Sequence, residues 1–583
     1  MATLVIDPIT RIEGHLRIEA EVDAQGVITR ASSAGTMVRG IETILVGRDP
    51  RDAWAFAQRI CGVCTLVHGI ASVRAVEAAL KYPIPPNAEL IRNLMIGAQF
   101  VHDHVMHFYH LHALDWVDVV SATKADPAAA AALQSCLSTW PNNTTAYFAD
   151  VLNKLKNFVN SGQLGIFANG YWGHPAYKLS PEMNLIAFAH YLEALTWQRN
   201  VAKLHTIFGG KNPHPNFVVG GSPCAISVAP GSAGGPAIRS GPTAVDAVGL
   251  NVVADVIAKM RDFVDRVYVP DTLAIARSYK DWANVGEGVG NFLCYGDFPS
   301  QNPGALSSLF IPRGAILNRD LSTIHPVDLE DAEQVQEYVT HSWYDYSLGS
   351  DTAMHPYNGE TVLNYTGPNP PYQNLDTSKA YSWLKSPRWR GKAMEVGPLA
   401  RVLMLYANGN AATQELVNKS LSDLKLPLTA LYSTLGRTLA RTLETKLIVD
   451  QMSVWYNQLI ANINAGDLRT HNNAMFDPST WPAFAQGAGY TEAPRGALAH
   501  WLTIRNGKID NYQAVVPSTW NAGPRDVFEQ EGPYEAALKG HKLYDSAQPI
   551  EILRTIHSFD PCMACAVHLV DPDGEPMLEI KVS

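Results

Sequence analysis

Residues 59–68 read RICGVCTLVH, and residues 559–568 read FDPCMACAVH. Each is a Cys-x-x-Cys pair followed by a histidine, and most of the chain lies between them. Two thiolates at this spacing can hold one metal ion from a single turn, because the intervening residues let both sulfurs face the same side. Two such turns make a four-sulfur set suited to zinc, to iron–sulfur chemistry or to another metal that prefers soft ligands. Structural zinc ribbons keep their two pairs about 15–20 residues apart. The wide separation here weakens that reading, but leaves a structural four-cysteine zinc protein open beside a redox or catalytic metal. Cys61, Cys64, Cys562 and Cys565 are four of only seven cysteines; Cys136, Cys224 and Cys294 are scattered singly. An odd, sparse set is no disulfide framework.

The rest of the composition bounds the problem. The chain has 583 residues, 46% hydrophobic and 17% charged, enough apolar material for a large core and too little charge for disorder. Its net charge of −10, without a dense Lys/Arg run, argues against nucleic acid as a partner. The opening MATLVIDPITRIEGH lacks a basic segment, and Asp7 and Pro8 interrupt its apolar stretch, so no signal peptide of its own is expected. No run of about eighteen apolar residues predicts a spanning helix.

Along the chain, residues 3–47 alternate apolar and polar around a DAQG turn and predict a hairpin or small sheet. From about 51 to 205 the pattern is mostly helical, with long helices expected at 91–116, from Pro181 to Phe208, and again within 244–276. Residues 209–240 are Gly/Pro-rich and read as loops and short strands, and 278–390 read as irregular. A further long helix is expected before Gly466, and the last ninety residues read as short strands with a turn at RNGK. The fold class is therefore mainly α with small antiparallel β pieces near both termini (α+β), in one large unit without a clear linker.

The flanking residues carry more than the spacing does. RICGVCTLVH, DPCMACAVH and the opening RIEGH, with RGIETILVGRDPRDAWAFAQRICGVC, NGYWGHP, FGGKNPHP, PRWRGKAMEVGPLAR, TEAPRGALAHW and VVPSTWNAGPRD in order, resemble the large catalytic subunit of a nickel–iron hydrogenase, most closely the membrane-bound uptake type. The resemblance runs the length of the chain. It implies an oxidoreductase that cleaves H2 heterolytically and reversibly into protons and electrons, with uptake the expected direction. An H2-sensing regulatory subunit is the alternative within the family.

What the resemblance implies for the site can be placed residue by residue. Cys61 and Cys562 would be terminal ligands of nickel, while Cys64 and Cys565 would bridge it to an iron carrying CO and two CN ligands. His68 would donate to a cysteine sulfur, and Glu13 would take the proton from Cys562. Arg495 would lie over the metals, held by Asp103 and Asp560, with Pro494 beside the diatomic ligands and Ser518 donating to a cyanide. Glu42, the carbonyl of Ala514 and His568 would hold magnesium. Residues 569–583 would be a C-terminal extension removed by a maturation endopeptidase, leaving 1–568 as the working subunit.

No cysteine set remains for iron–sulfur clusters, so a small subunit must carry them and the electrons. That partner would bring the export signal, placing the heterodimer on the periplasmic side of the membrane, peripherally, against a cytochrome b. Two motifs could mislead. Asp103, His107 and His110 would share one face of a regular helix and mimic a metal site. FGGKNPHP has Gly-Gly-Lys without the phosphate-loop spacing, and its His214 is expected to face the partner's nearest cluster.

Overall fold

The alternating N-terminal segment forms an antiparallel sheet of β1 (Ala2–Ile6), β2 (Leu16–Val22) and β3 (Ile28–Gly35), in that order. Its DAQG turn is closed by Asp23, whose carboxylate accepts from the backbone N–H groups of Gln25 and Val27, both at 2.9 Å. The alternation of β2 does not mark a solvent face, for Arg17 and Glu19 are also buried. They pair with each other, and Glu19 accepts from Leu375 N at 3.0 Å, so a distant loop covers that side of the sheet. This computed structural model describes residues 2–162, 164–167, 170–228, 244–300, 308–368 and 374–566, with only the backbone of Ile166, Cys565 and Ala566. His568 and the segment 569–583 lie outside the described residues.

Long helices make up the body: α1 (Val67–Leu80), α2 (Pro86–Met106), α3 (Pro181–Gly209), α4 (Ala247–Phe263), α5 (Pro398–Ala407) and α6 (Thr434–Asn464). Their ends follow local chemistry. Ser180, Asp246 and Ser433 cap α3, α4 and α6 by accepting a backbone N–H, and Gly210 and Gly466 leave α3 and α6 in the left-handed region. The expected 91–116 helix instead starts at Pro86 and, after Met106, widens into a π-helical turn over His107–His112. A second π turn, Val264–Tyr268, interrupts the stretch expected as one helix at 244–276.

The C-terminal ninety residues differ from the expectation. Together with the ten residues before them they form an antiparallel sheet of long strands, β4 (Phe484–Ala493), β5 (Gly496–Arg505) and β6 (Lys508–Val515), followed by short helices and α7 (Ile550–Ser558). The Ala- and Gly-rich composition of β4 hid its extent. The same composition explains its packing: α1 lies directly on β4, and a Cβ at Gly489 would sit 2.0 Å from Ala71 O. Ala71, Ala75 and Ala79 recur at helical spacing, so backbone meets backbone. The middle region reads as irregular because its strands are short two-stranded ladders, such as Phe292–Cys294 with Gly314–Ile316. One hydrophobic cluster extends from Ile9 to Met563, so the two ends of the chain share a core.

Candidate metal centre

The two cysteine turns meet where the chain ends come together. The RIEGH segment runs alongside DPCMAC as a short parallel bridge: Met563 N donates to Glu13 O at 2.7 Å, and Glu13 N to Pro561 O at 3.3 Å. Gly14 permits this approach. Its φ is +81°, and a Cβ there would lie 2.5 Å from Ala564 N. Arg39 ties the first turn to the second, donating to the carbonyls of Ile60 and, at 2.7 Å, Ala564. The helix that follows CGVC starts one turn later, at Val67, with Val67 N bonded to Cys64 O.

This docking gathers the sulfurs of Cys61, Cys64 and Cys562 within 4.8 Å of one another, all buried. Cys61 Sγ and Cys562 Sγ are 3.4 Å apart, and the backbone N–H of Cys64 points at Cys61 Sγ at 3.2 Å. Among the described residues none of the three is joined in a disulfide, and the backbone of Cys565 falls in the same short turn, Met563–Ala566. The cluster lies close beneath the surface, for Val63 inside the first turn is 44% exposed. His214 stands over this turn, its Nε2 3.8 Å from where a Cβ on Gly62 would be.

Glu13 is half-buried, and its Oε2 faces Cys562 Sγ at 3.4 Å while accepting from Ala564 N at 2.8 Å. Burial and the nearby Cys61 push its carboxyl above the usual range, against the opposing pull of Ala564 N, Cys562 and Arg495. Ser518 Oγ accepts from Cys562 N at 3.0 Å, leaving the hydroxyl hydrogen to donate elsewhere. His68 is fully buried with its Nδ1 on His500 Nε2 at 3.0 Å, and His500 Nδ1 meets the hydroxyl of Tyr512 at 2.6 Å. Burial, then the neighbouring His500, holds His68 well below the ordinary imidazole range, so it is neutral.

Arg495 occupies the two-residue turn between β4 and β5, next to Pro494. It donates to Asp103 Oδ2 at 3.1 Å, and its Nη2 lies 3.0 Å from Asp560 Oδ1 as an ion pair off the hydrogen-bonding axis. Burial alone would lower its pKa, but Asp560, Cys562, Asp103 and Cys64 together hold it well above the usual value. Its Nε–H has no hydrogen-bond partner among the described residues. A buried, unanswered N–H beside soft sulfurs fits a bound group with acceptor atoms, and the thiolate set fits nickel and iron.

Glu42 is nearby in the fold, with Oε1 accepting from Ala514 N at 2.8 Å and Oε2 from Thr361. Lys385, Gln513 and Glu337 surround it. Lys385 Nζ donates to Gln513 Oε1 at 2.9 Å and pairs with Glu337 at 3.6 Å. Burial pushes Glu337 up to about 7, with Lys385 pulling against it and Glu42 adding to the rise.

The metal mimic on the histidine-rich helix dissolves. His107 Nε2 bonds His557 O and His110 Nε2 bonds Tyr191 O, because the π turn changes the angular register that would have aligned them with Asp103. A different trio gathers instead: His112 Nδ1 and His557 Nδ1 both face Asp115 Oδ2, at 3.2 and 2.7 Å. Arg11 occupies Asp115 Oδ1, while Thr438 and Trp116 reach His112 Nε2. These donors and acceptors answer one another, so the trio is a hydrogen-bonded ion cluster. Arg39, His500 and Arg441 also belong to the surroundings of the site, although no expected role falls on them. Arg39 opens the RGIET motif and His500 lies in ALAHW. Arg441 is a buried cation near Asp560 with no motif of its own.

Comparison with known proteins agrees with this arrangement. Residues 39–568 match a family model described as "Nickel-dependent hydrogenase", and residues 3–34 one described as "HoxL-like". The chain is 54% identical over 99% of its length to the uptake hydrogenase large subunit of Rhizobium leguminosarum bv. viciae, covering 97% of that protein. It is 51% identical, with the same coverage, to the hydrogenase-1 large chain of Escherichia coli K12. Among solved structures it is similar to the Ni-Fe-Se hydrogenase of Desulfovibrio vulgaris Hildenborough, with a TM-score of 0.75, 33% identity, and coverage of 97% of this chain and 100% of that one. The chain belongs to the nickel-dependent hydrogenase family, as the large subunit of an oxidoreductase acting on H2.

Proposed function

We propose that this chain oxidises H2 in the uptake direction, with Cys61, Cys64, Cys562 and Cys565 holding a nickel–iron centre whose iron carries CO and two CN ligands. The observation that supports it best is the meeting of three buried thiols from opposite ends of the chain within 4.8 Å, with Glu13 against one of them. When bound, the centre supplies the Lewis acidity that polarises H2, a very weak acid.

The protein residues then have separable tasks. Cys562 Sγ accepts a proton, and Glu13 Oε2 takes it on from 3.4 Å away, its carboxyl held by burial nearer the pKa of its donor. Arg495, fixed by Asp103 and Asp560, presents a permanent positive charge to the reacting face and leaves its Nε–H for a bound ligand. Ser518 offers a second donor, its hydroxyl, and the buried Pro494 adjoins Arg495 in the turn between β4 and β5. His68, tied to His500, orients a cysteine sulfur.

Magnesium on Glu42, the Ala514 carbonyl and His568 belongs to the same proposal, supported by the carboxylate already drawn against the backbone of Ala514. The electrons leave through a small subunit docked beside the exposed CGVC turn, where His214 stands. We place the pair on the periplasmic side, exported on the partner's signal and docked peripherally to a cytochrome b; no described helix is long and apolar enough to cross a membrane. A maturation endopeptidase removes residues 569–583, which follow His568 three residues after the last cysteine.

The test is an infrared spectrum with metal analysis of the purified two-subunit protein, and the mass of the large chain. Sharp CO and CN bands, nickel and iron, and a chain ending at His568 are expected. Zinc on the cysteines, no diatomic bands and a trimmed tail would overturn the assignment of the metal centre.

A further inference from the structure

Arg401, on α5, is a fully buried arginine with all five of its N–H groups engaged. Nε and Nη2 grip Glu444 of α6 at 2.5 and 2.7 Å. One Nη1 hydrogen reaches Glu492 Oε2 at 3.1 Å. The other two go to backbone: Nη1 to Ala493 O at 2.8 Å and Nη2 to Pro494 O at 2.7 Å. Those carbonyls belong to the two residues immediately before Arg495.

Neutralising a buried guanidinium needs only its carboxylate partner. Two further bonds to consecutive carbonyls do something else: they fix both peptide planes leading into the turn that carries Arg495. Glu444 also accepts from His104 Nε2 at 2.8 Å, and His104 adjoins Asp103, which holds the far end of Arg495. The contacts close a ring through three helices and a hairpin: Arg495 to Asp103, along α2 to His104, to Glu444, to Arg401, and back through Pro494. The anchors of Arg495 at both its backbone and its guanidinium thus share one rigid support.

We infer that Arg401, seated on Glu444, is a positioning residue that sets where the Arg495 guanidinium stands over the sulfur cluster. This rests on the proposed place of Arg495 at the metal centre. Arginine side chains carry about 2 kcal/mol of rotamer entropy, so Arg495 keeps one geometry only if both of its ends are held. A shift near 1 Å at a reacting group can cost about 10²-fold in rate.

The test uses the two-subunit holoenzyme with Arg401→Lys, Arg401→Met and Glu444→Gln, and Arg495→Lys as control. Nickel per chain, kcat and KM for H2, and the CO and CN infrared bands are measured on each. Lysine can replace one backbone bond but not the fork. Arg401→Lys should therefore load nickel normally, keep KM, shift the diatomic bands and lose about tenfold in kcat, with Arg401→Met nearer the 10²-fold loss. Glu444→Gln should move the bands in the same direction.

Nickel-loaded Arg401→Lys or Glu444→Gln with unshifted bands and wild-type kcat would overturn the inference. So would poor nickel loading in all three variants with normal kcat in the loaded fraction, since Arg401 would then serve folding alone. If Arg495→Lys itself leaves kcat and the bands unchanged, it is the placement of Arg495 at the reacting face that fails, a separate result from any effect at Arg401.

Discussion

Glu13→Gln isolates the first proton step. Glutamine has the shape of glutamate and can still accept from Ala564 N, so the docking of RIEGH on the second cysteine turn should survive. It cannot take a proton from Cys562 Sγ, now 3.4 Å from Glu13 Oε2. Positioned acid–base groups are worth about 10²–10⁴-fold, or about 3–5 kcal/mol of barrier. The upper half of that range applies here, because the other charged group on Cys562 is Arg495, which does not give up its proton in water. The assay is H2 oxidation by the purified pair with a soluble acceptor, alongside nickel content and the infrared spectrum. The expected result is a kcat lowered by at least about 10³-fold with nickel content and KM unchanged. Glu13→Asp retreats by one methylene and opens the gap to roughly 5 Å, so it should fall between the two. Full nickel occupancy with near wild-type kcat in Glu13→Gln would refute this route and move proton exit to another group.

Three further outcomes follow from the structure. Gly14→Ala places a Cβ 2.5 Å from Ala564 N at a φ of +81°, so metal analysis should find little nickel retained; full loading would contradict the close docking of the two termini. Asp115→Asn leaves Arg11 and two histidines without their buried anion, a loss of about 3–5 kcal/mol, read as a clearly lowered melting temperature. Glu444 is destabilised as an anion by burial but brought down to about 2 by Arg401 and His104, below its ordinary 4.5. Its contribution of about 3 kcal/mol is present above pH 4.5 and lost as pH falls toward 2. The melting temperatures of wild type and Glu444→Gln should converge over that window, and a gap that widens on acidification would refute the ion pair's role.

Much of this protein was legible in one dimension because the chemistry is written in short stretches. A Cys-x-x-Cys turn brings two thiolates to one side through local geometry alone, and RIEGH, EAPRGA and VVPSTWN each keep their functional residue in a fixed local frame. Helical periodicity marked α2, α3 and α6, since apolar stripes and capping residues act within a few turns. The limits were equally local. Half of strand β4 is alanine and glycine, which admits α1 and erases its apolar alternation. The π turn at His107–His112 leaves no mark in composition, so histidines that share a face on paper point apart, and His112 joins Asp115 and His557 instead.

What the motifs cannot contain is the relation between them. The 3.4 Å between Cys61 and Cys562, the seat of Glu13 on Cys562, the reach of Arg39 across both cysteine turns and the grip of Arg401 on the Pro494 carbonyl each join residues distant in the chain. Such pairs exist only in the packed fold, where the long helices, α7 and the N-terminal sheet share one core. The residue types that bind metal and carry protons are thus a property of the sequence. Their separation, burial and charge surroundings, which make them a reactive centre, come from closure of the core.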